Sequence, residues 1–227
     1  MRLILKRFII ISTLFCSAYS ALAAETADCT LRMAAETDFP PHLIKQHEQW
    51  SGLSVELMQR LAAEVNCKLV FINSPWLRSL QMSEMGELDV LSHLSVSEQR
   101  KAHFAFIGPH HIESIYLVGD PTTLPTLDTL QQLASGIDLG SIATLHGGYY
   151  GEEFARLALQ PALASQLVSI SSIQDKLALL RAGRVNVILE DLSVLRYWQQ
   201  HQFADAARFQ PLLKVYESPV YFGFSKT

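Results

Sequence analysis

The feature that most constrains the fold is a regular alternation between short apolar runs and longer helical patterns. Helical patterns, such as those at 51–65 and 173–182, separate most of these runs. The runs typical of strands lie at 31–35, 68–72, 88–91, 139–145, 167–170 and 185–189. Strands separated by helices are typical of βαβ units and mostly parallel sheets. The sequence therefore predicts an α/β fold.

Two local patterns add detail to this prediction. Leu53, Leu57, Leu61 and Val65 recur every fourth residue and predict one apolar face of a helix that Ser51 caps. Prolines at 121 and 125 interrupt the alternation and suggest a division into two lobes. Open parallel sheets bind ligands beyond the carboxyl ends of their strands, so residues that follow strands are the candidate site residues.

The charge balance and the N-terminus exclude some function classes. The chain has 18 Lys+Arg against 22 Asp+Glu in 227 residues, which argues against a nucleic-acid partner held through phosphates. Arg2, Lys6 and Arg7 precede an apolar run at 8–18 and a small-residue cleavage site at 21–23. This pattern predicts a secretory signal peptide over residues 1–23 and a periplasmic, soluble mature protein.

The two cysteines that follow the signal peptide, Cys29 and Cys67, are expected in an oxidising compartment. Each precedes a predicted strand, and the two strands belong to one right-handed βαβ unit. Both cysteines then lie at the same edge of the sheet. We predict a disulfide between them, with two buried thiols as the alternative.

Signals for catalysis or metal binding are weak. The sequence has no His-Glu-x-x-His, Cys-x-x-Cys or Gly-x-Ser-x-Gly motif. The nearest cluster is His110-His111 with Glu113, but adjacent residues on a strand point to opposite faces of a sheet. We therefore predict no metal site, no cofactor and no catalytic residue.

Four residues that follow strands are candidates for contact with a ligand. Arg100 is placed to bind a carboxylate through two parallel hydrogen bonds, or to pair with Glu98 on the surface. Asp191 either caps the helix that follows it or balances a ligand cation. Phe39 and Trp76 either line a pocket or pack in the core.

Nine short segments, distributed from residue 31 to residue 226, form a pattern when they are taken in order. They are LRMA (31–34), DFPP (38–41), GLSVEL (52–57), PWLRSL (75–80), GELDV (86–90), SVSEQR (95–100), GGYYGEEF (147–154), LLRAGRVN (179–186) and PVYFGFSK (219–226). In combination, these segments resemble the bacterial periplasmic solute-binding proteins of the polar amino-acid type (extracellular solute-binding proteins, family three), with most similarity to a short proteobacterial branch.

The resemblance implies a type II periplasmic-binding-protein fold. Each of two lobes is a mostly parallel sheet flanked by helices, and two hinge crossings join them. The expected lobes are 24–119 plus 218–227, and 120–217.

The resemblance also implies roles for individual residues. Arg100 matches the arginine that binds the ligand α-carboxylate, and Asp191 matches the acid that binds the α-ammonium. Ser95 matches a backbone and hydroxyl contact. The remaining matches to the pocket are Phe39, Trp76, Gly148 and Tyr149.

Two departures from the family pattern carry expectations. His93 replaces a small residue and is expected either to narrow the pocket rim or to titrate near neutral pH. The family adds a C-terminal helical segment after the last strand, whereas only Lys226 and Thr227 follow here. We therefore expect the apolar face formed by Val220, Phe222 and Phe224 to be exposed.

The function implied is periplasmic binding of a small polar solute, in particular an amino acid, for an ABC-type importer. The expected partners are the small-molecule ligand and an inner-membrane permease, for a monomeric protein. The alternatives are a sensory binding module without a transport role and, on the same fold, a dehydratase-like enzyme. The dehydratase needs a general acid in the cleft, and the sequence assigns no carboxylate to that role.

Overall fold

The computed structural model describes residues 29–36, 39–201 and 205–227. The predicted signal peptide at 1–23 lies outside these residues. Within them, the longest helix has 12 residues. In the described ranges, no helix combines the length and apolar character needed to cross a bilayer.

The described residues form ten strands, eight α-helices and one 3₁₀ turn at Ala206–Arg208. The strands are β1 (Thr30–Ala35), β2 (Ile44–Gln46), β3 (Gln49–Ser51), β4 (Lys68–Asn73), β5 (Val90–Ser95), β6 (Phe104–Gly119), β7 (Ile142–Leu145), β8 (Leu167–Ile170), β9 (Val187–Asp191) and β10 (Gln210–Ser225). The helices are α1 (Leu53–Glu64), α2 (Trp76–Glu84), α3 (Glu98–His103), α4 (Gln131–Ala134), α5 (Gly151–Leu157), α6 (Pro161–Ala164), α7 (Ile173–Arg181) and α8 (Leu192–His201).

Eight strands form one sheet in the order β4-β1-β5-β10-β6-β9-β7-β8, while β2 and β3 form a separate hairpin. The outer pairs β1–β4, β1–β5, β7–β8 and β7–β9 are parallel. The long strands β6 and β10 lie antiparallel in the middle. This arrangement confirms the predicted α/β class.

The two central strands connect two halves of the molecule. The first half contains β4, β1 and β5, and the second contains β9, β7 and β8. The Ile115–Gly119 part of β6 pairs with β9, whereas the return strand β10 pairs with β5 from Val220 onward. The chain therefore passes between the halves in β6 just before Ile115 and in β10 just before Val220.

Each half has its own apolar core. In the second half, alternate residues of β9 join different clusters, because side chains alternate across a strand. Val187 and Leu189 pack with Leu117 on one face, while Ile188 packs with Trp198 on the other. Helices therefore cover both faces of the sheet, which is the arrangement that parallel strands require.

The disulfide between Cys29 and Cys67 is present, which confirms its prediction. Their Cα atoms lie 4.5 Å apart, next to the parallel pair Thr30–Lys68. The bond closes a loop of 38 residues along the chain. Closing such a loop stabilises the folded state by about 3–4 kcal/mol in the chain-entropy model.

Helix α1 differs from its prediction in which face it buries. It begins at Leu53, after Gly52, and Ser51 belongs to β3. The four residues of the predicted apolar face are 37–61 % exposed. Val55, Met58 and Ala62 are buried instead. These smaller or unbranched side chains form a second stripe at helical spacing, and they let the helix lie close to the sheet.

The expected exposure of the β10 face is also wrong. Val220 is fully buried and Phe222 is 1 % exposed, and Phe222 belongs to the same core cluster as Val55 and Met58 of helix α1, which covers this face of the sheet. Phe222 packs against Met33 and Val90 of the first half, and Phe224 is partly buried beside them.

Candidate functional site

A cleft lies between the two halves and encloses about 810 Å³ of space, part of it open to solvent. Seven of the eight predicted ligand-binding residues line it: Phe39, Trp76, His93, Ser95, Arg100, Gly148 and Tyr149. Their roles toward a ligand stay predictions.

Arg100 lies on the short helix α3, where the Ser97 hydroxyl caps the helix by accepting its backbone N–H at 3.3 Å. Its guanidinium donates to the carbonyl oxygens of Ser95 at 3.1 Å and Gly147 at 3.3 Å. The guanidinium carbon lies 5.7 Å from the ring centre of Trp76 and 5.6 Å from that of Tyr149.

No carboxylate of the described residues lies within 4.0 Å of the Arg100 guanidinium. Burial lowers the pKa of this guanidinium, yet an arginine stays charged throughout the accessible pH range. The cleft therefore contains a cation that protein carbonyls and rings orient, but that no carboxylate of the described residues neutralises by direct contact.

Asp191 is the last residue of β9 and is absent from the residues that line the cleft. Its carboxylate accepts the backbone N–H groups of Ser114 and Ser193, each at 2.8 Å, and the Ser193 hydroxyl. Helix α8 follows directly, so Asp191 fits the cap interpretation. The protein itself occupies the oxygens that the sequence assigned to a ligand ammonium.

Glu113 on β6 is a cleft residue that the sequence analysis assigned no ligand role. It accepts a hydrogen bond from the Ser95 hydroxyl at 3.3 Å. Burial, reinforced by the charge of Asp191, raises its pKa to about 8. Glu113 is therefore largely protonated at neutral pH. The available signal was an acid between Ile112 and Ile115 in a predicted strand.

A buried ion pair also borders the cleft. Lys176 Nζ lies 3.0 Å from Glu190 Oε2, and the two side chains are 4 % and 3 % exposed. The same ammonium donates to the Leu189 carbonyl at 2.7 Å. Burial lowers the pKa of Lys176, but the attraction of Glu190 and neighbouring groups raises it overall above its usual value. A lysine among the apolar residues of α7 was the signal for this pair.

Hydrogen bonds cross the cleft from one half to the other. The Trp76 indole N–H donates to the Gly147 carbonyl at 3.0 Å. The Glu36 carboxylate accepts the Ile173 backbone N–H at 3.1 Å, and burial raises the pKa of that carboxyl. The two halves are thus in direct contact around the cleft.

Beside the cleft, three histidines approach one another: His42, His93 and His111, hereafter the histidine triad. Their candidate ligand nitrogens all lie within 4.8 Å of one another. Burial, together with His111 and His110, lowers the pKa of His42 to about 3. Burial, together with His42, also lowers the pKa of His93 well below its usual value, so the expectation that His93 titrates near neutral pH is wrong. The sequence analysis missed this cluster because it compared only residues adjacent in the chain.

Comparison with known proteins gives a family match over part of the chain. Residues 31–125 match the bacterial extracellular solute-binding proteins, family 3. This match covers less than half of the chain and agrees with the resemblance carried by the sequence segments, while membership of the family and the branch within it stay predictions.

Solved structures of several proteins share the fold. Holo ArgBP from T. maritima has a TM-score of 0.72 at 17% identity, covering 87% of this chain and 83% of that one. A histidine kinase sensor domain with similarity to periplasmic binding proteins has 0.72 at 20%, covering 88% and 83%. The ancestral amino acid-binding protein AncCDT-1, a precursor of cyclohexadienyl dehydratase, has 0.69 at 18%, covering 87% and 81%. TM-scores of 0.69–0.72 establish a shared fold, and at identities of 17–20% they establish the fold alone.

Proposed function

We propose that this chain belongs to the bacterial extracellular solute-binding proteins of family 3, whose model its residues 31–125 match, and that it binds an amino acid in the periplasm. The observation that carries the proposal is Arg100, a cleft cation oriented by carbonyls and rings with no carboxylate partner in the described residues. A ligand α-carboxylate supplies the missing anion. Two parallel hydrogen bonds to the guanidinium fix its orientation.

The ammonium of the ligand needs an acceptor, and we assign it to Glu113 in place of Asp191. Glu113 lines the cleft and contacts Ser95, whose carbonyl also accepts from Arg100. An adjacent ammonium favours the charged carboxylate and lowers its pKa. Binding at neutral pH then releases the proton that Glu113 carries in the empty cleft.

Aromatic side chains form the walls around these polar groups. The rings of Trp76 and Tyr149 both lie against the Arg100 guanidinium, and Phe39 lines the same cavity. His93 also lines the cavity, next to Phe39 at a ring-centre distance of 5.0 Å. Apolar walls with a few oriented polar groups are typical of small-molecule sites.

Ligand binding is proposed to shift an equilibrium between open and closed lobes. The predicted lobes, 24–119 plus 218–227 and 120–217, need one change, because Ile115–Gly119 pairs with β9 of the second half. We place the hinge crossings just before Ile115 and near 217–220. Arg100 belongs to the first half and Tyr149 to the second. A ligand that contacts both residues binds the closed state better than the open state and increases the population of the closed state.

The partner that we propose is the permease of an ABC-type importer, with the chain acting as a monomer that delivers its ligand. A sensory role is the alternative within binding proteins, because the same fold occurs in the histidine kinase sensor domain. Capture of the loaded protein by its permease distinguishes transport from sensing.

One observation favours a second candidate function, an enzyme with a general acid. Glu113 is a largely protonated carboxyl in a partly enclosed cleft, which is what proton donation to a leaving group requires. Incubating the protein with its ligand and analysing the products separates the two functions. Binding predicts an unchanged ligand, whereas catalysis predicts a product that the Glu113→Gln variant does not form.

A thermal-shift screen against the twenty amino acids tests the proposal. A ligand that binds only the folded state adds about 2.7 kcal/mol at 100 times its dissociation constant, so the melting temperature rises. We expect at least one amino acid to stabilise the wild type and the control Arg78→Ala, whose side chain is exposed. The Arg100→Ala variant should lose the shift, and the carboxamide of the same amino acid should give none.

Stabilisation of Arg100→Ala to the same extent as the wild type would contradict the proposal. So would a screen in which no amino acid raises the melting temperature.

A further inference from the structure

The histidine triad brings together imidazoles from three separate segments. His42 lies in the turn after Phe39, His93 in the middle of β5, and His111 in β6 close to the crossing between the halves. His42 and His93 are 2 % and 8 % exposed. The ring centre of His42 lies 4.0 Å from the ring centre of His93 and 4.7 Å from that of His111.

Two nitrogens of the triad have no partner. Nε2 of His93 and Nε2 of His111 are buried and form no hydrogen bond with any described residue. A buried polar atom without a partner costs about 1–3 kcal/mol, so such atoms call for an explanation. Two of them that face the same small cluster point to a missing common partner.

The other nitrogens of two of the rings are held by the protein. The Ser54 hydroxyl lies 3.3 Å from Nδ1 of His93. The Ser193 hydroxyl lies 2.9 Å from Nε2 of His42 and donates in turn to Asp191. Hydrogen bonds of this kind orient metal-ligating imidazoles and fix their tautomers. They leave Nδ1 of His42 and Nε2 of His93 as the unused nitrogens.

The backbone at His93 is also strained. Its φ of 54° lies in the left-handed region, which residues other than glycine rarely adopt. Strain of this kind persists where the surrounding structure fixes it, and it is concentrated at functional sites. Here it accompanies a buried imidazole at the centre of the triad.

We propose that the histidine triad binds a divalent late transition-metal ion such as Zn²⁺, with a fourth position open to solvent. Three imidazoles with one open position suit zinc, whereas Mg²⁺ and Ca²⁺ prefer oxygen ligands. A tetrahedral ion with bonds of about 2.0–2.1 Å needs nitrogens about 3.4 Å apart. The candidate nitrogens lie within 4.8 Å of one another, so metal binding requires side-chain rotations that bring them closer together.

An entry path to the site exists. A second cavity, of about 680 Å³ and partly open to solvent, is lined by His42, His111, Glu56 and Arg60. The ion can reach the triad from this side without passing through the solute cleft. The cavity also leaves room for a water molecule or an anion as the fourth ligand.

The test uses the purified protein without an added histidine tag, stripped with a chelator and dialysed. Zn²⁺ is titrated in competition with a chromogenic chelator, and Mg²⁺ serves as the hard-cation control. We expect one equivalent of Zn²⁺ to bind and Mg²⁺ not to compete.

The loss of Zn²⁺ affinity should be largest in variants of the metal ligands and smaller in variants of residues that orient those ligands. His93→Gln and His111→Gln should each weaken binding by at least about 100-fold, and Ser54→Ala, which acts through His93, by about tenfold. The exposed His103, outside the triad, provides the matched control His103→Gln, for which we expect no change.

A spectroscopic readout separates ligation from a general effect on stability. Cu²⁺ bound to the wild type should show nitrogen hyperfine splitting from three imidazoles in electron paramagnetic resonance, and from two in His111→Gln. If His93→Gln does not fold, His111→Gln and Ser54→Ala still test whether the triad binds the metal. Failure of the wild type to bind Zn²⁺, or equal Zn²⁺ affinity in the wild type and His111→Gln, would overturn the proposal.

Discussion

Arg100 and Asp191 were predicted as a matched pair, one for each end of an amino acid, yet the structure treats them differently. Arg100 lines the cleft, and its charge has no carboxylate partner among the described residues. Asp191 lies outside the lining, and its oxygens accept two backbone N–H groups and a hydroxyl. One charge is available to a ligand, and the other already has its partners within the protein.

This difference separates the functional charges of the cleft from the structural ones. A buried charge that is already paired with an opposite charge or with hydrogen-bond donors of the protein contributes to stability and gains little from a ligand. A charge that the protein orients but does not neutralise gains most when a ligand arrives. By this criterion Lys176, Glu190 and Asp191 are structural, and Arg100 and Glu113 face the solute. The following predictions test that division, beginning with the largest effect.

Replacing Lys176 by Met should lower the free energy of unfolding by about 3–5 kcal/mol, because Glu190 is left buried without a counter-charge. Chemical denaturation of wild type and variant measures the loss. The exposed pair Lys101–Glu98, at 2.6 Å, provides the control. Lys101→Met should cost at most about 1 kcal/mol, as is usual for exposed ion pairs. Equal losses in the two variants would show that the buried pair is not structural.

Asp191→Ala should lower the free energy of unfolding by about 2–3 kcal/mol, because it leaves the N–H groups of Ser114 and Ser193 without an acceptor. The exposed Asp128 offers a control, and Asp128→Ala should leave stability almost unchanged. Both are measured by urea denaturation. If Asp191→Ala unfolds like the wild type but no longer binds the amino acid, the assignment of Asp191 to the structural group is wrong.

Glu113 should make stability depend on pH. Its pKa is about 8 in the folded state against an ordinary 4.5, so the folded protein binds the extra proton in that range. Stability from this group is therefore complete below pH 4.5 and is lost as pH rises through about 8. Between pH 6 and pH 8 the wild type should lose about 2 kcal/mol relative to Glu113→Gln. A difference between the two proteins that stays constant with pH would contradict a protonated Glu113.

The fold could be predicted because its signals are local. The alternation of strands and helices predicts the α/β class. The positions of Cys29 and Cys67 before two strands of one βαβ unit predict their disulfide. Where two local patterns competed, as on α1, the sequence did not show which face is buried. Packing of Val55, Met58 and Ala62 against the sheet decides it.

The site was only partly predictable because hydrogen-bond partners are not local. Arg100 can be proposed from its place after a strand, but whether Asp191 is free depends on Ser114, which is 77 positions away in the chain. The histidine triad is harder to predict, because His42, His93 and His111 lie far apart in the chain and form no local sequence motif. In both cases the burial and pairing of distant segments create the chemistry.

The most direct test of the division is the affinity of Arg100→Ala for the amino acid that stabilises the wild type most, measured by isothermal titration calorimetry beside Asp191→Ala. Removing the Arg100 partner of a buried, hydrogen-bonded carboxylate should cost about 2–5 kcal/mol of binding free energy. We predict that loss for Arg100→Ala with wild-type stability, and less than about a tenfold change for Asp191→Ala, or about 1.4 kcal/mol. An Arg100→Ala variant that binds as tightly as the wild type, or a larger loss at Asp191, would contradict the account.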